Sequence, residues 1–407
     1  MSAPSNPARP PAAPALDPAP AASGAPVGVY LHVPFCAHIC PYCDFNTYAG
    51  QENLIPRYVE ALAHEVRSYR DALGGREIAT IFFGGGTPSL LTPAQIAALL
   101  DACREASTLA EDAEITLEAN PNKIDAAYLA ALRDAGVNRL SIGVQTLAPR
   151  GLRTLGRLHS PQQAADALAA ARAAGFTNVS LDLIFGWPGQ TLAGWQDDLD
   201  RVLGGALGGH VPDHLSLYSL IVEPGTPMAD AVARGILVTP DDDATADLYE
   251  TAIARLAAAG WTHYEVANWV ASPALESRHN RVYWRNGDYV GTGAGSHGFL
   301  GGVRWMNHQL PATYCAAVEC GSPPRATEEQ IEARTSMGET MMLGLRLLED
   351  GVSTDAFAAR HGVSLEAAFG PIVDGLVARG LLERLPDRVR LTERGLMLAN
   401  DVCAEFL

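Results

Sequence analysis

The stretch Val29-Tyr30-Leu31-His32-Val33-Pro34-Phe35-Cys36-Ala37-His38-Ile39-Cys40-Pro41-Tyr42-Cys43 decides how this chain is read. Its first five residues have the β-rich character of a strand. Three cysteines then crowd into eight residues with the spacing CxxxCxxC. The remaining cysteines, Cys103, Cys315, Cys320 and Cys403, are scattered, and the total of seven is odd. An odd count without a leader peptide argues against a disulfide framework and for metal chemistry at the triplet. Cys315 and Cys320 read as buried thiols.

Outward from that strand the same pattern recurs. Val29–Val33, Ile78–Phe83, Glu114–Ala119, Asn138–Val144, Asn178–Ile184 and His214–Leu220 read as strands. Pro93–Glu105, Ala126–Ala135, Pro161–Ala174 and Leu192–Leu203 read as helices between them. Gly136 and Gly175 follow two of these helices, as terminating glycines do. Strands alternating with helices imply βαβ units and a parallel sheet. Six such units fall two short of a closed eight-unit barrel, so the expected fold is α/β, a partial (β/α)6 barrel. After about residue 310 the pattern changes. Helices are expected over Ile331–Leu348, Thr354–His361 and Leu365–Arg379, then a hairpin over Leu381–Leu391 turning at Pro386-Asp387, then a last helix. That order suggests a winged-helix-like α+β domain. The expected division is an Ala/Pro-rich tail over 1–26, the barrel over 27–310 and the small domain over 311–407.

Composition excludes several classes. A chain of 407 residues exceeds the usual span of one hydrophobic core. No apolar run approaches the roughly 18 residues of a membrane span. The net charge of −17 repels phosphate backbones, which argues against nucleic-acid binding. The segment from Glu328 onward carries 14 acidic and 8 basic residues, so its wing lacks the charge that DNA binding needs. The tail has no apolar signal core, so the expected location is the cytoplasm, where thiols stay reduced.

The triplet has a specific chemistry. Thiolates are the ligands of iron–sulfur clusters. Three cysteines on a four-iron cluster leave one iron without a protein ligand, and an open position on a metal is where a substrate binds. The ligand expected there is S-adenosylmethionine (SAM), through its amino and carboxylate groups. Structural zinc with His38 as fourth ligand is the competing reading. The site of a parallel α/β barrel lies at the carboxyl ends of its strands, and the unusual residues of this chain fall there. Gly84-Gly85-Gly86-Thr87 lets backbone approach a ligand closely. Glu118 can accept hydrogen bonds from ribose hydroxyls. Gln145 ends the fourth strand, Arg157 can fork onto a carboxylate, and Asp182 inside an apolar strand demands a partner.

The CxxxCxxC spacing directly after a first strand resembles the radical-SAM superfamily. Within it, Tyr30-Leu-His32-Val-Pro34-Phe35-Cys36, the Gly84–Ser89 loop, Glu118-Ala-Asn120-Pro121, Gly143-Val-Gln145 and Asp182-Leu-Ile resemble the oxygen-independent coproporphyrinogen III dehydrogenase family from about residue 27 onward. The resemblance implies a 4Fe–4S cluster on Cys36, Cys40 and Cys43. It implies SAM contacts at Tyr30, Tyr42, Gly85, Gly86, Thr87, Glu118, Gln145, Arg157 and Asp182, with Ile221 and His297 in the same pocket. One departure counts. The dehydrogenases carry a further cysteine two residues past the third ligand, where this chain has Phe45. Phe45 is typical of the HemW-type heme chaperone branch. His279-Asn280-Arg281-Val282-Tyr283-Trp284 agrees, since it resembles that branch's HNxxYW motif. The motif implies heme binding by His279, Asn280, Tyr283 and Trp284, with an imidazole ligand and flat aromatic surfaces. The expected partners are heme and apo-haemoprotein acceptors, respiratory enzymes at the membrane among them. The alternative is an oxygen-independent coproporphyrinogen III oxidase that makes protoporphyrinogen IX by SAM-derived radical decarboxylation.

Overall fold

The computed structural model describes residues 24–407, and all but the end of the 1–26 tail lies outside the described residues. Strands β1 (Val27–Val33), β2 (Ile78–Gly85), β3 (Leu109–Ala119), β4 (Arg139–Gln145), β5 (Val179–Phe185) and β6 (His214–Ser219) lie side by side in that order, all parallel. The helices between them start where their capping residues dictate. Thr92 and Ser160 each form a capping box at the head of Pro93–Ala106 and Pro161–Ala173. Gly136 ends Ala126–Ala135 with φ +117°, a conformation glycine adopts without Cβ strain.

Side-chain alternation divides each strand between two environments. Ile81, Phe83, Ile115, Leu117, Leu140, Ile142, Leu181, Leu183, Leu215 and Leu217 join the helices in one apolar core. The residues between them are polar and fully or nearly buried: Thr80, Thr116, Ser141, Ser180, His214 and Ser216. They face the inner side of the partial barrel, and all but the Thr116 hydroxyl bond to each other or to their neighbours. Ser180 Oγ pairs with His214 Nδ1 at 2.8 Å, and Thr80 Oγ1 with His279 Nδ1 at 2.8 Å. These hydrogen bonds offset most of the cost of burying such groups.

The six expected strands are present, and the sheet extends beyond them to twelve. Beyond β6 the chain adds β7 (Thr262–Glu265) and β8 (Asn268–Val270), antiparallel. On the other edge β9 (Tyr289–Thr292) pairs parallel with β1. It is followed by β10 (His297–Leu300), β11 (Val303–Asn307) and β12 (Arg325–Gln330), all antiparallel. Most of these strands are only three to five residues long, too short for a two-residue period to stand out.

The chain leaves the sheet at Gln330 rather than at residue 310. Helix Pro311–Glu319 packs on Ile55–Ser68, tied by the exposed pair Arg57–Glu319, and β12 completes the sheet. In this helix Cys315 is buried as expected, whereas Cys320 at its end is exposed, a correction to the reading of both as buried thiols. A second core, with Met341, Phe357, Phe369, Val373, Val389 and Phe406, is enclosed by four helices and a three-stranded sheet. The expected hairpin is there as Leu382–Arg384 and Arg388–Leu391, with Val352–Ser353 as a third strand. The helix expected over Ile331–Leu348 spans only Ala333–Gly344. The residues after it pair with the barrel edge through Val266 N to Arg346 O (3.2 Å) and Leu348 N to Tyr264 O (3.0 Å). The last expected helix is two short ones, Glu393–Met397 and Ala399–Ala404.

One buried carboxylate ties the first helix to the late strands. Glu65 accepts from Gly293 N (2.8 Å), Asn307 Nδ2 (2.7 Å) and Tyr314 OH (2.5 Å). Burial raises its pKa from 4.5 to about 7 against the pull of those donors. The folded protein therefore holds a proton that the unfolded chain has released above pH 4.5. The stability this confers is complete below pH 4.5 and is lost as pH rises to about 7. Wild type should lose up to about 3 kcal/mol relative to Glu65→Gln across that window. Urea unfolding of both proteins at the two ends of it is the check.

Candidate functional site

The cysteine loop hangs from the carboxyl end of β1. A two-residue parallel bridge, Phe35–Cys36 on Tyr48–Ala49, closes the loop at its root. The glycine-rich end of β2 laces against that root. Gly86 N donates to Val33 O and Thr87 N to Phe35 O, each at 2.8 Å. A Cβ on Gly86 would stand 2.7 Å from Phe35 O and 2.9 Å from Val33 O, so only glycine fits. Asn46 fastens the far end of the loop, with Nδ2 donating to Ala294 O (2.9 Å) and Gln309 O (3.0 Å). Within the loop Cys43 N donates to Cys40 O at 3.1 Å. Cys36, Cys40 and Cys43 are half-buried free thiols. Burial pushes the Cys36 and Cys43 thiols up, partly opposed at Cys36 by its bond to Thr87 Oγ1.

These thiols line a cleft of about 450 Å³. Tyr42, Gly85, Gly86, Thr87, Glu118, Gln145, Arg157, Asp182 and Ile221 line it too, from all six central strands and the loops that follow them. Glu118 accepts from Gly85 N at 3.2 Å, and burial, then the neighbouring Asp182, raises its carboxyl to about 8. Asp182 has the partner its position demanded. Ser141 Oγ lies 2.9 and 3.0 Å from its two oxygens, while burial pushes its pKa up. Arg157 Nη2 donates to Asn120 Oδ1 (2.5 Å) and Gly143 O (2.7 Å), and Nη1 leans on Cys40 Sγ at 3.6 Å. Its Nε is buried without a partner. Asn120 completes the chain by donating to Thr87 Oγ1 at 3.1 Å. Sequence reasoning passed over Asn120 and Ser141. The signal for Asn120 was there: it stands two residues from Glu118, on the same face of the strand end.

Tyr30, His297 and His279 lie outside the lining of this cleft. Tyr30 is absent from the cleft lining; its ring stacks on Phe82 and His279 inside the barrel, and its hydroxyl meets His32 Nδ1 at 3.1 Å. His297 is exposed and outside the lining. His279 is 1% exposed, in the short helix Arg278–Trp284 that closes the inner side of the barrel. Glu114 accepts the helix's leading amides, Arg278 N at 3.0 Å and His279 N at 2.9 Å. Both imidazole nitrogens are engaged, Nδ1 with Thr80 and Nε2 with Tyr283 OH at 2.8 Å. Burial pushes its pKa down to about 3, so the ring is neutral. Trp284 faces the small domain, under the Arg346 guanidinium at 4.4 Å, and Asn280 N caps onto Ser277 Oγ. Helical spacing thus puts His279 inward, where both ring nitrogens have protein partners.

The donor set fits the groups the sequence suggested. Three thiols, a close-approach glycine, two buried carboxyls and an unpaired buried guanidinium nitrogen face one space. Among the described residues no three His, Cys, Asp or Glu side chains are gathered as a single-ion site.

Comparison with known proteins agrees with this geometry. Residues 30–202 match the Radical SAM superfamily, and residues 331–398 match the HemN C-terminal domain. The structure of coproporphyrinogen III oxidase (HemN) from Escherichia coli, described as a radical SAM enzyme, superposes with a TM-score of 0.79. It is 24% identical, over 94% of this chain and 90% of that one, and shows the shared fold. The chain is a radical SAM protein, and with that class come a 4Fe–4S cluster and SAM as cofactors. Its similarity to proteins named heme chaperone HemW runs nearly end to end. The protein from Mycobacterium tuberculosis (strain H37Rv) is 43% identical over 97% of both chains. That from Bacillus subtilis (strain 168) is 40% identical over 93% of this chain and 98% of its own, and that from Escherichia coli (strain K12) 37% over 94% and 98%. The chain belongs to the HemW family.

Two substitutions probe this geometry. Gly86→Ala should destabilise the protein by about 1–3 kcal/mol, since its Cβ meets backbone that cannot yield, and should lower the iron bound per chain. Thermal melts and iron assay after anaerobic reconstitution check it. His279→Ala should cost about 3 kcal/mol, because it leaves a cavity and strips Thr80 and Tyr283 of a partner. Denaturant titration measures that loss.

Proposed function

We propose that this chain is a heme chaperone, which binds heme and delivers it to apo-haemoproteins, respiratory enzymes at the membrane among them. The observation that carries the reading is 37–43% identity, over nearly the whole chain, to proteins named heme chaperone HemW. Phe45 supports it. It stands 67% exposed on the cleft lining, at the position where the resemblance gives the dehydrogenases another cysteine. Among the described residues no helix is long and apolar enough to cross a membrane. The proposed working place is the cytoplasm, with transient docking on a membrane acceptor.

In this reading Cys36, Cys40 and Cys43 hold the cluster, and Tyr42, Gly85, Gly86, Thr87, Glu118, Gln145, Arg157 and Asp182 take SAM. When bound, the cluster supplies an open iron position and an electron at SAM. The rest is the work of the chain. Glu118, raised to about 8, keeps its proton at neutral pH and offers a ribose one donor and one acceptor. Arg157 brings a guanidinium to the Cys40 side of the cleft. Tyr30, whose hydroxyl meets His32 Nδ1, belongs to the same proposed SAM set through the resemblance. Heme ligation by His279, with Asn280, Tyr283 and Trp284, requires the Arg278–Trp284 helix to leave its place against Thr80 and Glu114.

The test is anaerobic reconstitution followed by two parallel assays. Hemin is added and its Soret band followed; separately, SAM, reductant and coproporphyrinogen III are supplied. Stoichiometric heme uptake without decarboxylation is the expected result. Turnover to protoporphyrinogen IX would overturn the proposal in favour of the oxidase. Heme uptake undiminished in His279→Ala would remove that residue from the heme site.

A further inference from the structure

Gln145 has a backbone that its residue type resists. Its φ is +67°, and Asn286 is the only other non-glycine residue with positive φ among the described residues. Thr146 N donates to Val144 O at 2.9 Å, two residues back, so Gln145 is the centre of a three-residue turn. With positive φ at its centre, that turn has the rarer, strained hand. The register with β5 slips at the same place, between Gly143 and Gln145. The result is functional. A Cβ on Gly143 would lie 2.9 Å from Gln145 Nε2 and 3.4 Å from Arg157 Nη2, so the amide folds back beside the guanidinium on the cleft wall. Strain of roughly 1–3 kcal/mol at such a residue persists only where the surroundings over-determine it.

The surroundings are a set of clamps centred on Asp198, which is 1% exposed on helix Leu192–Leu203. Asp198 Oδ2 accepts from Thr146 Oγ1 at 2.5 Å, and Oδ1 accepts from Leu147 N at 3.1 Å. Thr146 Oγ1 in turn accepts from Ala148 N at 3.1 Å. Arg201 Nη1 donates to Leu147 O at 3.2 Å, and His159 Nε2 lies 3.0 Å from Val144 O. None of these groups lines the cleft.

We propose that Asp198, through Thr146, is a positioning residue for SAM binding: it holds the turn that aims Gln145 into the cleft. The proposal rests on the reading of Gln145 as a SAM contact. It separates this carboxylate from those of the cleft, Glu118 and Asp182, which face the ligand directly. Asp198 acts from the outer, helix-packed side of the sheet and never touches SAM.

The experiment compares Thr146→Val, Thr146→Ser, Asp198→Asn, Gln145→Ala and the double variant Gln145→Ala/Thr146→Val, each with its cluster reconstituted anaerobically. Iron per chain, melting temperature and the SAM dissociation constant are measured for every protein. Thr146→Val keeps the side-chain volume and removes the hydroxyl that Asp198 holds. It and Asp198→Asn should load iron like wild type and bind SAM about tenfold more weakly. Thr146→Ser should restore wild-type affinity. The double variant should bind SAM no more weakly than Gln145→Ala alone, because the clamp acts only through Gln145. Thr146→Val or Asp198→Asn that melts earlier yet binds SAM like wild type overturns the positioning role and leaves a structural one. Additive losses in the double variant also overturn it. Gln145→Ala with undiminished SAM affinity overturns the underlying reading of Gln145, and with it this proposal, whatever Thr146→Val shows.

Discussion

The backbone of Gly86-Thr87 lies against the backbone of Val33–Phe35, and the cleft depends on that contact. Two amide-to-carbonyl bonds of 2.8 Å join the end of one central strand to the root of the cysteine loop. No side chain fits between them at Gly86. Because the contact is backbone to backbone, it fixes the loop without using a side chain. Thr87 Oγ1 remains free to meet both Cys36 and Asn120, and Asn120 carries the linkage on to Arg157. The cysteine loop, β2, the end of β3 and the loop after β4 thereby become one rigid wall.

The second organising fact is the polarity of the barrel's inner face. Most of the apolar side chains of the six central strands point outward to the helices, and hydroxyls, carboxyls and imidazoles point inward. A buried polar interior must be satisfied at every level. At the cleft, Ser141 serves Asp182 and Gly85 N serves Glu118. At the other end, helix Arg278–Trp284 brings His279 to Thr80 and lays its leading amides on Glu114. The small domain holds that helix in place through Arg281 with Asp350, Asn286 with Thr340, and Trp284 under Arg346. The His279 motif therefore joins barrel and small domain mechanically, whatever it does with heme. This coupling gives the small domain a structural part in the site's surroundings.

Much of this was legible in the chain itself. The six central strands and their helices follow from local signals: β-rich runs, capping residues such as Thr92 and Ser160, and glycines such as Gly136. The cysteine triplet, the glycine loop, Glu118 and Asp182 were legible because each sits at or near a strand end, where a short motif and its place in the barrel coincide. Tertiary structure decided the rest. The short strands from Thr262 to Asn307 form only by pairing with edges made elsewhere. Asn120, Asn46 and Asp198 gain their roles from partners tens to hundreds of residues away. His279 shows the difference most directly. Its sequence neighbours mark a motif, but only the packed barrel decides that the ring faces inward, between Thr80 and Tyr283. Local periodicity determines which residues share a face of an element; which neighbour covers that face is a long-range property of the closed fold.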